Sequence, residues 1–134
     1  MRVIRKCALL LVRDKKLLLS REFGDSRFLT VGGSFEDGET DLQCLQRELE
    51  EEVGTKAVES TLEFLCEFVG TDGPEKVVHI HAYSGDLENE PKAAGEIEEL
   101  RWFNRSDLES LPAETISEIT KHKILPFLAE RGMI

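Results

Sequence analysis

The chain lacks the material for several common kinds of protein. Its 134 residues include three cysteines, Cys7, Cys44 and Cys66, with no Cys-x-x-Cys pair. That argues against a disulfide scaffold or a zinc site and for a reducing, cytoplasmic setting. Apolar runs are short. The longest, Cys7–Val12, follows basic residues as the core of a secretory leader would, but it is too short and no small-residue cleavage site follows. Nothing approaches the roughly 20 apolar residues of a membrane span, so no membrane association is expected. Positive charge is scarce: 17 Lys and Arg stand against 27 Asp and Glu, for a net charge of −10. So acidic a chain repels nucleic-acid backbones, and non-specific nucleic-acid binding is not expected. The single tryptophan, Trp102, is expected to anchor the core.

The length suits one domain, residues 1–134, with enough chain to bury a core. Charge is uneven. Residues 1–31 carry eight basic groups and three acids, so the excess of acid lies entirely downstream. Residues 3–12 and 17–21 read as strands joined by a turn at 13–16, and a short strand at 27–31 runs into Gly32-Gly33. A helix follows. Thr40 and Gln43 form a capping box, Leu42, Leu45, Leu49 and Val53 make one apolar face, and Gly54 closes it. Two β-rich runs flank Thr71-Asp72-Gly73-Pro74 as a hairpin, and Ile97–Phe103 is a further strand. The C-terminus reads as helical, with capping boxes at Ser106/Glu109 and Thr115/Glu118 and an interruption at Pro126. Mixed strands with a central and a terminal helix indicate an α+β domain. Monomer and homodimer both remain open.

Residues 32–55, Gly-Gly-Ser-Phe-Glu-Asp-Gly-Glu-Thr-Asp-Leu-Gln-Cys-Leu-Gln-Arg-Glu-Leu-Glu-Glu-Glu-Val-Gly-Thr, pose the main question. On a helix, Glu48, Glu51 and Glu52 share a stripe beside the leucine face, while Glu50 points elsewhere. Like charges so placed destabilise a helix unless a cation offsets them, and Arg47 cannot neutralise three. Carboxylates are the hard ligands Mg²⁺ takes. On spacing alone, a solvated Glu-rich face and a metal site both stay open.

The wider pattern reads Gly33, five residues, Glu39, seven residues, then Arg47-Glu48-Leu49-Glu50-Glu51-Glu52-Val53-Gly54. It resembles the Nudix box, with every fixed Gly, Glu and Arg at its spacing, and the order of flanking elements extends the resemblance over nearly the whole chain. Thr55 stands where the box usually ends in an aliphatic residue, and Val31 where proline often precedes the glycine pair. The resemblance implies an αβα sandwich, a mixed β-sheet between helices. It also implies a hydrolase that cleaves the pyrophosphate bond of a nucleoside diphosphate linked to another group, with Mg²⁺ or Mn²⁺. Glu51 and Glu52 would be the primary ligands, Glu48 a further ligand or the base, and the Gly32 carbonyl an additional ligand. Arg47 would orient the glutamates through Glu51, and Glu39 would shape the loop. Members often add a glutamate from outside the box. Glu96, Glu98 and Glu99 are the candidates, and Glu96 is favoured by its distance before Trp102.

The compact size resembles MutT-type enzymes acting on nucleoside triphosphates, oxidised ones included. A nucleotide sugar or dinucleoside polyphosphate stays open, and neither a Ser-Gln-Pro-Trp segment of the NADH type nor a coenzyme A signature is present. The alternative is a non-catalytic Nudix-fold nucleotide-binding or regulatory module, though such proteins have usually lost box glutamates. His79 and His81 share a strand face and, with no third ligand at metal spacing, read as polar face residues. Cys44 reads as a small packed residue. Phe23, Phe28 and Phe35 suit either base stacking or core packing.

Overall fold

The run Cys7–Val12 is apolar without alternation, which is the signature of a strand covered on both faces. In the computed structural model, which describes residues 1–134, this run divides as that pattern requires. Cys7, Leu9 and Leu11 enter one core cluster, and Ala8 and Leu10 enter another on the opposite face. The run begins in strand β1 (Arg2–Leu9), which lies inside the sheet, antiparallel to β4 (Leu29–Ser34) and parallel to β6 (Lys76–Ser84). β5 (Glu63–Thr71) forms one edge against β6. β2 (Val12–Arg13) and β3 (Lys16–Glu22) form a hairpin whose turn residues, Asp14 and Lys15, both have positive φ, as a tight type I′ turn requires. β3 also pairs with β4 and with β7 (Ile97–Phe103), so the sheet is mixed and seven-stranded.

Helix α1 (Asp41–Val53) covers one face, packing on β4 and β1. Its capping box is made as expected: Thr40 accepts from the Gln43 N–H, and the Gln43 side chain accepts from the Thr40 N–H. Gly54 closes the helix in the left-handed region at φ 71°. The buried face is Cys44, Leu45, Leu49 and Val53. Leu42 was expected on that face but lies at its margin and is 36% exposed, and Cys44 takes the inward position one turn before Glu48.

The other face is covered by the C-terminal segment and by α2 (Arg105–Ser110). Two capping expectations shift here. The box at α2 is Asn104 with Asp107, not Ser106 with Glu109. The last helical segment begins after Ser117, whose Oγ accepts from the Thr120 N–H, not after Thr115, which ends a 3₁₀ turn. Thr120–Ile124 forms a π-helical turn before α3 (Leu125–Glu130). Pro126 explains it: with no N–H to offer and a ring that crowds the carbonyl four residues back, it is accommodated where the helix widens. Helices therefore sandwich a mixed sheet, and no helix is long and apolar enough to cross a membrane.

Leu49 is fully buried and Leu42 is not, so their truncations should separate. Leu49→Ala should lose about 2–5 kcal/mol in urea unfolding, whereas Leu42→Ala should stay within about 0.5 kcal/mol of the parent. Equal losses would contradict this orientation of α1.

Candidate active site

The site begins with two missing side chains. Gly32 sits in β4 at φ 145°, where a Cβ would lie 2.1 Å from the Cys7 carbonyl oxygen. Gly33 has a permissible backbone, but its Cβ would lie 2.3 Å from the Glu48 carboxyl carbon. Glycine at 33 therefore makes the cradle that holds the Glu48 carboxylate. One residue back, the Gly32 N–H donates to Glu52 Oε1 at 3.0 Å. Burial pushes the Glu52 carboxyl up to about 8 against the pull of that N–H, and neighbouring Glu48 adds to the rise. Burial also raises Glu48, although Arg47 opposes it.

Arg47 ties the surrounding loop together. Its Nε and Nη2 donate to the two Glu39 oxygens at 2.7 and 2.9 Å, Nη1 donates to Glu48 Oε1 at 2.8 Å, and Nη2 also donates to the Ser34 carbonyl at 3.0 Å. Its contact with Glu51 is longer, 3.4 Å. Arg47 thus acts on Glu48 first, and on Glu51, the expected partner, only weakly. Glu39 takes the loop role the sequence suggested. The Arg47 guanidinium, helped by the Glu36 N–H, holds its carboxyl down to about 2.

Beside this network opens a cleft of about 600 Å³. Gly32, Gly33, Glu48, Glu51 and Glu52 are all there, and so is Glu96. The loop before β7 brings Glu96 in by capping the end of α1, where the Lys92 and Ala94 N–H groups donate to the Val53 and Glu52 carbonyls. Glu98 and Glu99 are held elsewhere by Arg21, at 2.6 and 3.3 Å, and Glu99 also by Arg101. Much of the remaining lining escaped the sequence reading. Glu22 from β3 adds a carboxylate, and Lys6 from β1 is the lone basic side chain of the lining. The far end is walled by Leu29, Val78, Ile80 and Ile119, with Asp72, Ser117 and Glu118 as polar groups.

No aromatic ring lines this cleft. Phe28 is buried against Phe103, Phe35 packs on His81 across the sheet, and Phe23 is exposed outside it. His79 and His81 lie on the α1 side, opposite Val78 and Ile80, where His81 bonds Asp41 at 3.0 Å and Glu67 at 2.8 Å.

The whole-chain comparisons bear on what such a cleft is. A family model described as the NUDIX domain matches residues 2–125. The chain belongs to the Nudix family. Curated relatives include a protein named NAD-capped RNA hydrolase NudC from Stutzerimonas stutzeri, 31% identical over 91% of this chain and 43% of that protein. The protein of the same name from Pseudomonas putida is 34% identical over 98% of this chain and 46% of its own length. The chain thus spans less than half the length of these relatives. Among solved structures, the E. coli ORF135 protein superposes with a TM-score of 0.74 at 26% identity, covering 98% of this chain and 92% of that one. A MutT protein from Methanosarcina mazei Go1 superposes at 0.79 with 20% identity, covering 97% and 96%, which speaks to fold alone.

Within this Nudix chain the donor set fits a hard divalent cation, because its groups are carboxylates crowded into a half-buried cleft with one lysine among them. They do not close a cage: no three acid, histidine or cysteine side chains converge on one point.

Two outcomes follow. Gly33→Ala should drive the Glu48 carboxylate from its cradle and destabilise the fold by about 1–3 kcal/mol in urea unfolding. A neutral result would mean that Glu48 has slack. On the opposite face, burial disfavours the His81 imidazolium, but Asp41 and Glu67 outweigh it and raise its pKa. The stability from that pairing is fully present below about pH 6.5 and is lost as pH rises through the higher folded value. His81→Gln should therefore lower Tm more at pH 5.5 than at pH 9, and a pH-independent difference would contradict this charge pairing.

Proposed function

We propose that the chain hydrolyses a phosphoanhydride bond of a nucleoside diphosphate derivative, in the first place a nucleoside triphosphate, with Mg²⁺ or Mn²⁺. One observation carries this reading: Glu48, Glu51 and Glu52 of the box reach a single cleft whose lining also offers the apolar side chains of Leu29, Val78, Ile80 and Ile119. Glu51 and Glu52, with Glu48 and the Gly32 carbonyl beside them, would hold the cation. Bound there, the cation neutralises phosphate charge and acidifies water. The chain supplies the rest. Arg47 fixes the Glu48 carboxylate in the cradle of Gly33. Glu48 and Glu96 are the carboxylates suited to take the proton from the attacking water. Lys6 offers a positive contact to phosphate.

At the far end, Leu29, Val78, Ile80 and Ile119 would flank the base on apolar surfaces. Glu118 and Asp72, the latter also paired with Arg27, are acceptors suited to the N–H groups of a base edge. The relatives named for NAD-capped RNA bring a second substrate class into the test, although the chain lacks the Ser-Gln-Pro-Trp segment and spans less than half of those proteins.

A panel of nucleoside triphosphates, nucleotide sugars, dinucleoside polyphosphates, NADH and NAD-capped RNA, assayed with Mg²⁺ and with Mn²⁺, should show release of phosphate or pyrophosphate from triphosphates. Glu52→Gln should lower kcat by roughly 100-fold or more without lowering the Tm of the metal-free protein, because it replaces a carboxyl whose ionisation burial disfavours with a neutral group of the same shape. Undiminished turnover in Glu52→Gln would remove that residue from the site. Silence across the panel, with nucleotide still bound, would favour a non-catalytic binding module.

A further inference from the structure

Directly behind the glycine pair lie two thiols that the hydrolytic reading does not use. Cys7 projects from β1 and Cys44 from α1, and they are 1% and 0% exposed. Their sulfur atoms are 2.7 Å apart, although the residues are 37 positions apart in the chain. Both sulfurs also approach the same acceptor, the Gly33 carbonyl oxygen, at 3.7 Å each. Cys7 borders the cleft, but its sulfur is packed under α1 on the face opposite Val78 and Ile80, so an oxidant reaches it on local opening of α1. Cys66 is far from this arrangement, in the cluster on the other face of the sheet.

We propose that Cys7 and Cys44 are a site of oxidative modification, in which peroxide joins them as a disulfide that tethers α1 to β1 and shifts the metal-binding wall. Cys7 sulfur attacks one peroxide oxygen. The O–O bond breaks, giving a sulfenic acid at Cys7 and releasing water. Cys44 sulfur then attacks the sulfenic sulfur, the S–O bond breaks, and a second water leaves as the S–S bond forms. Two thiols and one hydrogen peroxide become one disulfide and two waters, with both sulfurs oxidised and both peroxide oxygens reduced.

The sulfurs need approach by only about 0.7 Å to reach the covalent length. That movement draws in the first half of α1, and Glu48 lies one turn further along. Glu48 has no slack, since its carboxylate already fills the place of the missing Gly33 Cβ. The bond also removes both S–H donors from the Gly33 carbonyl. In a reducing setting such a bond is transient, which is the usual use of an intracellular disulfide.

The test uses the full chain, treated with hydrogen peroxide and then alkylated. The expected product is a monomer lighter by two hydrogens, with a Cys7–Cys44 cross-linked peptide and Cys66 alkylated. Its Tm should rise by roughly 10 °C and return with a dithiol reductant. Alkylation of both Cys7 and Cys44 after peroxide overturns the proposal, as does conversion of Cys7 to sulfinic acid without a cross-link. Cys44→Ala should abolish the Tm shift. If that variant does not fold, Cys66→Ala with peptide mapping gives the same decision. The effect on the wall rests on the proposed hydrolysis: turnover should fall roughly 10-fold on oxidation and recover on reduction. An unchanged rate in the cross-linked protein overturns that coupling. A protein that hydrolyses nothing leaves the mass and Tm readouts intact, so the two readings fail separately.

Discussion

The close seating of α1 on the end of β4 governs the rest of this molecule. Carboxylates at 48 and 52 reach their positions only because Gly32 and Gly33 bring backbone where side chains would otherwise stand. A Cβ at Gly32 would strike β1, and one at Gly33 would strike the Glu48 carboxylate. The consequence is electrostatic. Glu52 is drawn into a poorly solvated place with one N–H as its direct partner, and Glu48 is held beside it by a single arginine. The fold therefore holds in its own wall two buried carboxyls whose charged forms are disfavoured, a perturbation that clusters at functional sites.

Arg47 keeps that arrangement in one piece. Its planar fork reaches the Glu39 carboxylate with two N–H groups and the Ser34 carbonyl and Glu48 with others, joining the end of β4, the loop after it and the helix. Glu39 accepts in turn from the Glu36 N–H, which stiffens the loop between strand and helix. Lysine has neither the planar geometry nor the number of donors for this. The fixed residues of the box therefore divide into groups that present oxygen to the cleft and groups that hold the presenters still.

What could be read in advance depended on how local each signal was. Thr40 with Gln43 and Gly54 bracketed α1 correctly because capping is decided within one turn. The same pattern misled at Ser106 and Thr115. Acceptor-then-acid spacings overlap there, and the tertiary setting selected Asn104 and Ser117. Leu42 sat at the margin of the apolar stripe, and the solvent side won. The box identified its wall of the cleft because its spacing is helical and its glycines are fixed. Glu22 and Lys6 could not be assigned to that wall, since they arrive from other strands through sheet pairing. The Cys7–Cys44 contact was invisible for the same reason.

The charge pattern links these levels. The chain is acidic overall, and the cleft concentrates that acidity: Glu22, Glu48, Glu51, Glu52 and Glu96 face it with Lys6 alone. A phosphate group approaching such a wall is repelled at close range, where screening by salt is weakest. Raising the carboxyl of Glu52 lessens that repulsion only partly, because Glu51 remains in solvent. Arg47 cannot help the incoming anion, since its N–H groups are committed to Glu39, Glu48 and Ser34. The basic residues of the first strands mostly point away; Arg21 and Arg27 are paired with Glu98, Glu99 and Asp72. The anionic substrate proposed above would need a cation to accompany it, and the apolar side chains of Leu29, Val78, Ile80 and Ile119 would add affinity that the charged wall does not supply.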